Sequence, residues 1–406
     1  EFHGADGELR VEERRVNWEI LDAWRDAAEQ CGIPKIEEFN RGDNFGNAYF
    51  QMNQRNGSRW SGTRAFLRPV LSRKNLTVTI HAHVEKLELD TANGGRRATG
   101  VRVRIGKQAA QIIDARREVI LAAGAIGSPQ LLQLSGIGNA SLLQEKRIAL
   151  VHDLPGVGEN LQDHLQIRSV YKVNNTVTMN LRANSLFGKM KMGLEYFLFK
   201  SGPLTMPPSQ LGAFAKSDLD QPTANIEWHV QPLSLDKFGD PLHRFNAITP
   251  SVCNLQPSSR GHVRINSNDA YDYPAITLNY LSTEADRQVA ITGLRFTRKI
   301  MAAKALEKYE PLEWKPGPDL RSDEDLLQAA GDLGTTIFHP VGTCKMGSDP
   351  MAVVDHRLRV RGLEGLRVVD ASIMPTLTSG NTNAPSIMIG EKASELLLGN
   401  RFSLAA

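Results

Sequence analysis

Three short stretches of the sequence combine residue types that could carry out chemistry. A histidine precedes a Pro-Val-Gly turn in Phe338–Gly347 (FHPVGTCKMG), where an imidazole could exchange a proton near neutral pH. A Gly-rich turn enters a helical pattern in Gly124–Gly138 (GAIGSPQLLQLSGIG), so a backbone could approach a ligand closely there. Asp370 ends a short apolar run, and Asn381 and Asn383 precede a further helical pattern. Each feature also has a plain packing or capping interpretation, with Asp370 capping a turn and Asn383 capping a helix.

Hydrophobic periodicity predicts the elements that must position these residues. Apolar positions three to four residues apart predict helices over residues 18–31 and about 283–303. Ser322 and Asp325 have the spacing of a capping box and predict the start of another helix. Apolar alternation predicts strands over residues 75–90, 101–105, 225–231 and 262–266.

Two continuous apolar runs predict short strands next to the candidate residues. The run from Val119 is typical of a strand buried on both faces, and it leads through Gly124 into a helix that Gly136 ends. The second run, Leu366–Asp370, precedes a helix expected from Asn383 to about Leu398. The two runs are far apart in sequence, so they predict one α/β layer assembled from distant segments.

Length and composition indicate a globular chain of two domains. The 406 residues exceed one ordinary domain, and 41% hydrophobic with 23% charged residues excludes a disordered, collagenous or coiled-coil chain. The net charge of +3 is spread along the chain, so no nucleic-acid partner is expected. Three distant cysteines form neither a disulfide framework nor a zinc motif, so we expect no metal. There is no run of eighteen apolar residues and no signal peptide, which predicts a cytoplasmic location without a transmembrane segment.

As strings, the three stretches resemble signatures of the glucose–methanol–choline (GMC) flavoprotein oxidoreductases. Family-like segments extend the resemblance over nearly the whole chain, with an overall similarity to the bacterial choline dehydrogenase-like and primary-alcohol branch. These segments are Ser58–Pro69, Asn75–Val78, Leu154–His164 and Ser259–Ile265. The resemblance implies FAD as cofactor, a bacterial source and, as a further option, peripheral membrane association.

The resemblance also implies roles for individual residues. His339 matches the family's catalytic histidine, and Asn381 matches its second catalytic position. A helix amino terminus beside the flavin would stabilise the negative charge of the reduced ring. The residues implied to bind FAD are Val84 near the adenine, Asp370 and Ala371 near the ribityl and pyrophosphate groups, and Thr382 and Asn383 near the isoalloxazine ring.

The expected fold is therefore α/β (α+β). It consists of a discontinuous FAD-binding Rossmann-like domain and a substrate domain with an antiparallel sheet and flanking helices. The expected ranges are 1–60 for a linker and substrate-side helix, 60–165 for part of the FAD-binding domain, 166–335 for the substrate-binding domain and 336–406 for the carboxyl-terminal part of the FAD-binding domain.

The implied reaction is oxidation of a primary alcohol to an aldehyde. His339 would take the hydroxyl proton and flavin N5 the hydride, with oxygen or a quinone as the final electron acceptor. Two alternatives stay open: a GMC-like hydroxynitrile lyase, and a truncated fragment without catalysis.

The sequence departs from the family in two places. No strand leads into a Gly-x-Gly-x-x-Gly turn, so we expect a missing amino-terminal segment that FAD binding needs. Gln210 stands where choline-active members carry a glutamate, which favours a neutral primary alcohol. Gln210, Trp228 and Phe338 are the residues expected to line the substrate site.

Overall fold

The computed structural model describes residues 3–4 and 6–399, apart from the side chain of Asn93. The chain forms two compact units, each built from three separate segments. The first unit consists of the described parts of residues 1–77, with 165–255 and 284–336. The second consists of 78–164, 256–283 and the described part of 337–406. Residues 256–283 thus cluster with the second unit. The expected domain ranges, in which these residues fall within 166–335, stay a prediction. The expected ranges also include residues 1, 2, 5 and 400–406, which lie outside the described residues.

The regular elements alternate along the chain between the two units. The helices are α1 (Glu19–Gln30), α2 (Gly124–Leu134), α3 (Ala140–Glu145), α4 (Met179–Asn184), α5 (Leu186–Phe199), α6 (Glu284–Met301), α7 (Asp323–Leu333) and α8 (Asn383–Leu398). The strands are β1 (Gly46–Tyr49), β2 (Gln54–Arg55), β3 (Ser58–Arg59), β4 (Ala82–Asp90), β5 (Arg97–Ile105), β6 (Gln111–Asp114), β7 (Val119–Leu121), β8 (Ile137–Gly138), β9 (His152–Asp153), β10 (Leu165–Arg168), β11 (Val170–Lys172), β12 (Leu211–Ala215), β13 (Ile226–Gln231), β14 (Ala247–Asn254), β15 (His262–Arg264), β16 (Ala275–Thr277), β17 (Leu312–Lys315), β18 (Gly334–Thr336) and β19 (Leu366–Val368).

An eight-stranded antiparallel sheet forms the centre of the first unit. Its order is β1-β12-β13-β14-β10-β18, with β11 joined to β14 and β17 joined to β11. One face packs on α6, where Trp228 on β13 contacts the edge of Phe296 and donates a hydrogen bond to Thr297. Helix α1 buries one apolar side, including Trp24, as its periodicity predicts.

The second unit joins distant segments through a parallel pair of short strands. β7 pairs with β19, so that Val119 lies opposite Leu366. The antiparallel strands β4, β5 and β6 form a separate three-stranded sheet. These elements pack around a hydrophobic core that includes Leu132, Val341 and Val368. None of the described helices has the length and hydropathy to cross a membrane.

Several elements expected from the sequence are confirmed. Helices occur at residues 284–301 and 383–398, and Gly136, with φ 81°, follows the end of α2. Ser322 and Asp325 form both bonds of a capping box at the start of α7. Asp370 caps the 3-10 turn Ala371–Ile373 by accepting the N–H of Ser372.

Other expectations were wrong in detail. Residues 75–81 do not form a strand; Val78 and Ile80 are exposed, because no described strand lies beside them. The expectation that the run from Val119 is buried on both faces was wrong, since Ile120 is 42% exposed on a sheet of only two described strands. At α8 the N-cap is Thr382 rather than Asn383.

Candidate active site

The backbone around His339 is fixed by an unusual turn and by Asp163. Phe338 has φ 65°, a left-handed conformation that costs a non-glycine residue about 1 kcal/mol or more. This turn leaves the Phe338 side chain 64% exposed and the His339 side chain buried. The N–H of His339 donates to Asp163 Oδ1 at 2.9 Å, and the Tyr280 hydroxyl donates to the other oxygen of Asp163. The backbone of His339, which carries the imidazole, is therefore held in place.

Two side chains contact the two ring nitrogens of His339. His164 Nδ1 lies 3.1 Å from His339 Nδ1, with the rings at 83°. Asn381 Nδ2 lies 3.3 Å from His339 Nε2. An amide nitrogen only donates, so Nε2 of His339 accepts and carries no proton. The neutral ring of His339 then carries its proton on Nδ1, and this N–H donates a hydrogen bond to Nδ1 of His164.

This arrangement gives His339 the properties of a base. The unprotonated Nε2 faces Asn381, whose side chain is exposed, whereas Nδ1 faces the fully buried ring of His164. A small molecule approaching from the side of Asn381 would meet a proton acceptor and an amide N–H donor together. These are the two groups needed to deprotonate a hydroxyl and to hold its oxygen.

Asp370 joins the Gly-rich turn to the carboxyl-terminal segment. Its Oδ2 accepts the N–H of Gly124 at 2.9 Å and the hydroxyl of Ser128 at 2.5 Å. Its Oδ1 accepts the N–H of Ser372 at 2.8 Å. The carboxylate is largely buried and held by three donors, so it fixes the position of Ala371 next to it.

The amino terminus of α8 follows Asn381 directly. Thr382 makes no side-chain cap, and the Asn383 and Ala384 side chains are exposed. The first N–H groups of a helix have no acceptor within the helix and carry partial positive charge. These residues fit a group that is rich in acceptors and anionic when reduced, as a flavin is. Val84 is half-buried on β4, opposite Val103, and its role near the adenine stays a prediction.

Cys344 lies in the same family-like stretch as His339 but is not reactive. The side chain is fully buried. Burial, and then the charge of Asp370, raise the pKa of the Cys344 thiol well above its usual range. The thiol stays protonated and is not a nucleophile.

Gln210 and Trp228, expected to line a substrate site, both belong to the first unit. Trp228 is fully buried against α6, and its contacts are those of a core residue. Gln210 is also buried, and neither atom of its amide has a hydrogen-bond partner among the described residues. A substrate-lining role remains a prediction for both residues.

A buried polar face of the sheet was not expected from the sequence. Side chains of cross-strand pairs share a face, so β13, β14 and β10 together present this polar face opposite Trp228. Several of its buried polar atoms lack a hydrogen-bond partner among the described residues, which makes the face a candidate ligand surface. These atoms are Gln166 Oε1, Arg168 Nε and Nη2, Gln231 Oε1 and Ser251 Oγ.

Three residues on this polar face have metal-ligand chemistry. Glu227, His229 and Cys253 are buried and offer ligand atoms within 4.8 Å of one another, a spacing that Zn²⁺ could bridge. His229 Nε2 also lies 3.0 Å from Glu227 Oε1, so a protonated imidazole would pair with the carboxylate without a metal. The expectation of no metal site remains a prediction.

Sequence reasoning missed the residues that orient His339. Asp163, His164 and Tyr280 were given no role, although Asp163 and His164 end the family-like stretch Leu154–His164. A pair of neighbouring polar residues, one acidic and one imidazole, directly before the buried strand β10 was the available signal. Tyr280 had no signal, because only the fold brings it to Asp163.

Comparison with known proteins identifies the family. Two family models described as GMC oxidoreductase match residues 257–390 and 2–166. The chain is 40% identical to an alcohol dehydrogenase [acceptor] of Pseudomonas putida, over 98% of this chain and 71% of that protein. It is also 40% identical to an oxygen-dependent choline dehydrogenase of Pectobacterium carotovorum, over 97% of this chain and 70% of that protein.

A solved structure shares the fold. The crystal structure of pyridoxine 4-oxidase from Mesorbium loti superposes with a TM-score of 0.85 at 29% identity, covering 99% of this chain and 74% of that one. The expected mixed α/β fold, with an antiparallel sheet and flanking helices, is confirmed by this similarity. The chain belongs to the GMC oxidoreductase family, whose members are FAD-dependent flavoproteins.

Proposed function

We propose that the protein oxidises a primary alcohol to an aldehyde, with His339 as the base. The observation that carries the proposal is the position of Asn381 Nδ2, 3.3 Å from His339 Nε2, with His164 on the opposite ring nitrogen. This leaves a lone pair on Nε2 directly beside an amide donor. Activity therefore requires the neutral imidazole, and we expect it to fall at low pH, where protonation fills that lone pair.

The chain's own residues would act on the hydroxyl group. His339 Nε2 accepts the hydroxyl proton, and the Asn381 amide N–H donates to the oxygen as negative charge develops there. The hydrogen bond to His164 keeps the other ring proton of His339 on its Nδ1 throughout. FAD, when bound, would supply the two-electron acceptor, with flavin N5 as the proposed acceptor of the hydride from the α-carbon.

The proposed FAD-binding residues lie in the second unit, as His339 does. Thr382 and Asn383 begin α8, where partial positive charge favours an anionic group. Asp370 holds Ala371 against the Gly-rich turn, and Val84 is proposed near the adenine. We also propose that tight binding needs a strand–Gly-x-Gly-x-x-Gly–helix segment, which these 406 residues do not contain.

The proposed substrate is a small neutral primary alcohol. The similar protein of Pseudomonas putida is named an alcohol dehydrogenase, which supports the class. Gln210 is neutral where the choline-active members of the family carry a glutamate, so it offers no counter-charge for a quaternary ammonium group. Oxygen or a quinone is proposed as the final acceptor.

The test is the rate of flavin reduction in the complete, FAD-loaded protein. Anaerobic mixing with a panel of primary alcohols should bleach the visible flavin absorbance. In His339→Ala the rate should drop by about 10²–10⁴-fold, which is the usual contribution of a general base. Flavin content should be unchanged.

The matched control is His356→Ala. His356 is exposed in the same unit, so its loss should leave the rate unaltered. Normal bleaching by His339→Ala with full flavin content would show that another group is the base. Absence of bleaching in the unsubstituted protein, with every alcohol tried, would favour the lyase alternative.

A further inference from the structure

Helix α5 exposes most of its apolar side chains. Seven large apolar residues on it are between 56% and 82% exposed. Six of them share one side of the helix: Leu186, Phe187, Met190, Leu194, Phe197 and Leu198. The seventh, Phe199, is the last residue of the helix and lies outside that side. An exposed apolar cluster of this kind is typical of a binding surface, whereas single exposed apolar residues are common on any protein.

The six residues form one continuous stripe. At about 100° per residue, they fall within an arc of about 120° that contains no polar side chain. The opposite side of α5 contacts the protein at Met192, which is buried, and at Tyr196, whose hydroxyl lies 3.4 Å from Ser58 Oγ, while Phe199 at the end of the helix stays exposed. The apolar side of α5 is thus the side exposed to solvent, the opposite of an ordinary surface helix. Leu204, on the 3-10 turn Pro203–Thr205 that contacts α5, is half exposed as well.

Lysines flank both edges of the stripe. By the same rotation Lys191 lies at one edge, and Lys189 and Lys200 lie at the other. None of the three forms an ion pair with a described residue, and the Lys200 ammonium lies 4.5 Å from the Tyr196 ring centroid. Glu195 is the single acidic residue of α5. The edges of the stripe therefore carry net positive charge that forms no ion pair with any described acidic residue.

We propose that α5 lies in the interface of a bilayer containing anionic lipids. Its 14 residues span about 21 Å, too short to cross a hydrocarbon core of about 30 Å, so it would lie in the membrane plane. Phenylalanine and leucine would enter the acyl boundary, while the lysine stems extend to the phosphates. A protein partner fits less well, because lysine is depleted in protein–protein interfaces. This inference is independent of the proposed reaction.

The test is sedimentation of the full chain with extruded vesicles. Vesicles of phosphatidylcholine with phosphatidylglycerol should bind the chain, and high salt should weaken that binding. Phe187→Glu with Phe197→Glu should lower the partition coefficient at least about tenfold, because two carboxylates then enter the apolar stripe. Lys189→Gln with Lys191→Gln should lower binding to the level seen with phosphatidylcholine alone.

The matched control is Leu219→Glu with Tyr273→Glu. These residues are 96% and 90% exposed outside α5, so the pair makes the same charge change and should bind vesicles like the unsubstituted chain. Thermal melting shows that each variant is folded. Failure of the unsubstituted chain to bind, or unchanged binding of the α5 glutamate variant, would overturn the proposal. So would a dimer in sedimentation velocity that the α5 variant abolishes while vesicle binding is absent, since a second copy would then cover the stripe.

Discussion

At the scale of residues, the position of one proton depends on three neighbouring side chains. Asn381 Nδ2 is a donor, so His339 Nε2 accepts, and His164 then accepts from His339 Nδ1. His164 is fully buried and does not need to touch a substrate to act. We therefore regard His164 as a positioning residue that sets the tautomer and the ring angle of His339.

We predict that His164→Ala lowers the rate of alcohol-dependent flavin reduction by up to about 10²-fold, because a misplaced base loses that much. His164→Asn offers an amide oxygen near the former Nδ1 and should restore much of the rate. The low-pH loss of activity should persist in both variants, since His339 is still the base. Equal activity of the Ala and Asn variants, or a low-pH loss that vanishes with His164, would contradict this role.

At the scale of elements, local capping chemistry explains where α7 begins. Ser322 accepts the N–H of Asp325, and Asp325 accepts the N–H of Ser322, so two backbone donors that the helix cannot satisfy gain partners. Ser322 directly precedes the helix, and Asp325 lies in its first turn. The element could therefore be predicted without any knowledge of the fold.

We predict that Ser322→Ala lowers the free energy of unfolding by about 1 kcal/mol. The control Ser394→Ala changes an exposed serine inside α8 and should have little effect. Urea unfolding of each variant measures the difference. A loss in Ser394→Ala equal to that in Ser322→Ala would remove the capping explanation.

The Asp325 half of the capping box should depend on pH. Hydrogen bonds from the Ser322 side chain, then from the Ser322 and Arg321 backbone, lower the pKa of Asp325 in the folded chain. Its contribution is therefore present above the unfolded pKa and is lost as the pH falls through the folded pKa. Asp325→Ala should destabilise the protein at neutral pH, and the difference from the unsubstituted chain should shrink in acid. A difference that stays constant down to low pH would contradict the ionic contribution.

At the scale of the whole molecule, each unit depends on segments that are distant in the chain. In the second unit β7 pairs only with β19 among the described strands, and Asp370 holds the turn at Gly124 and Ser128. The core around β7 also draws Val341 and Val368 from the last segment. Residues 78–164 therefore lack a complete core without the residues that follow Thr336.

We predict that truncation after Thr336 leaves residues 78–164 unfolded. Trypsin should cleave this segment at least about tenfold faster than in the full chain, because the protected core is lost. Residues 226–254 serve as an internal reference, since β13 and β14 keep all their partner strands in the first unit. Peptide mass mapping over time measures both. Continued protection of 78–164 would show that this segment folds without its carboxyl-terminal partner.

The net charge of the whole chain does not show where charged residues gather on the surface. A net charge of +3 with scattered basic residues identified no partner. The lysines that flank α5 become significant only because the structure turns the apolar stripe outward. Periodicity shows that a helix has two sides, but not which side the protein covers.

The sequence by itself determined the features that depend on neighbouring residues. The helices at 284–301 and 383–398, the capping box of Ser322, and the strings that carry His339 and Asn381 were all readable from local pattern, and the GMC family followed from those strings. Only the tertiary structure decided features whose partners are remote. His164 is 175 residues from His339 in the chain, and residues 75–81 have strand-like alternation without a described partner strand. Hydrogen-bond partners and burial come from the folded neighbourhood, and local sequence does not contain them.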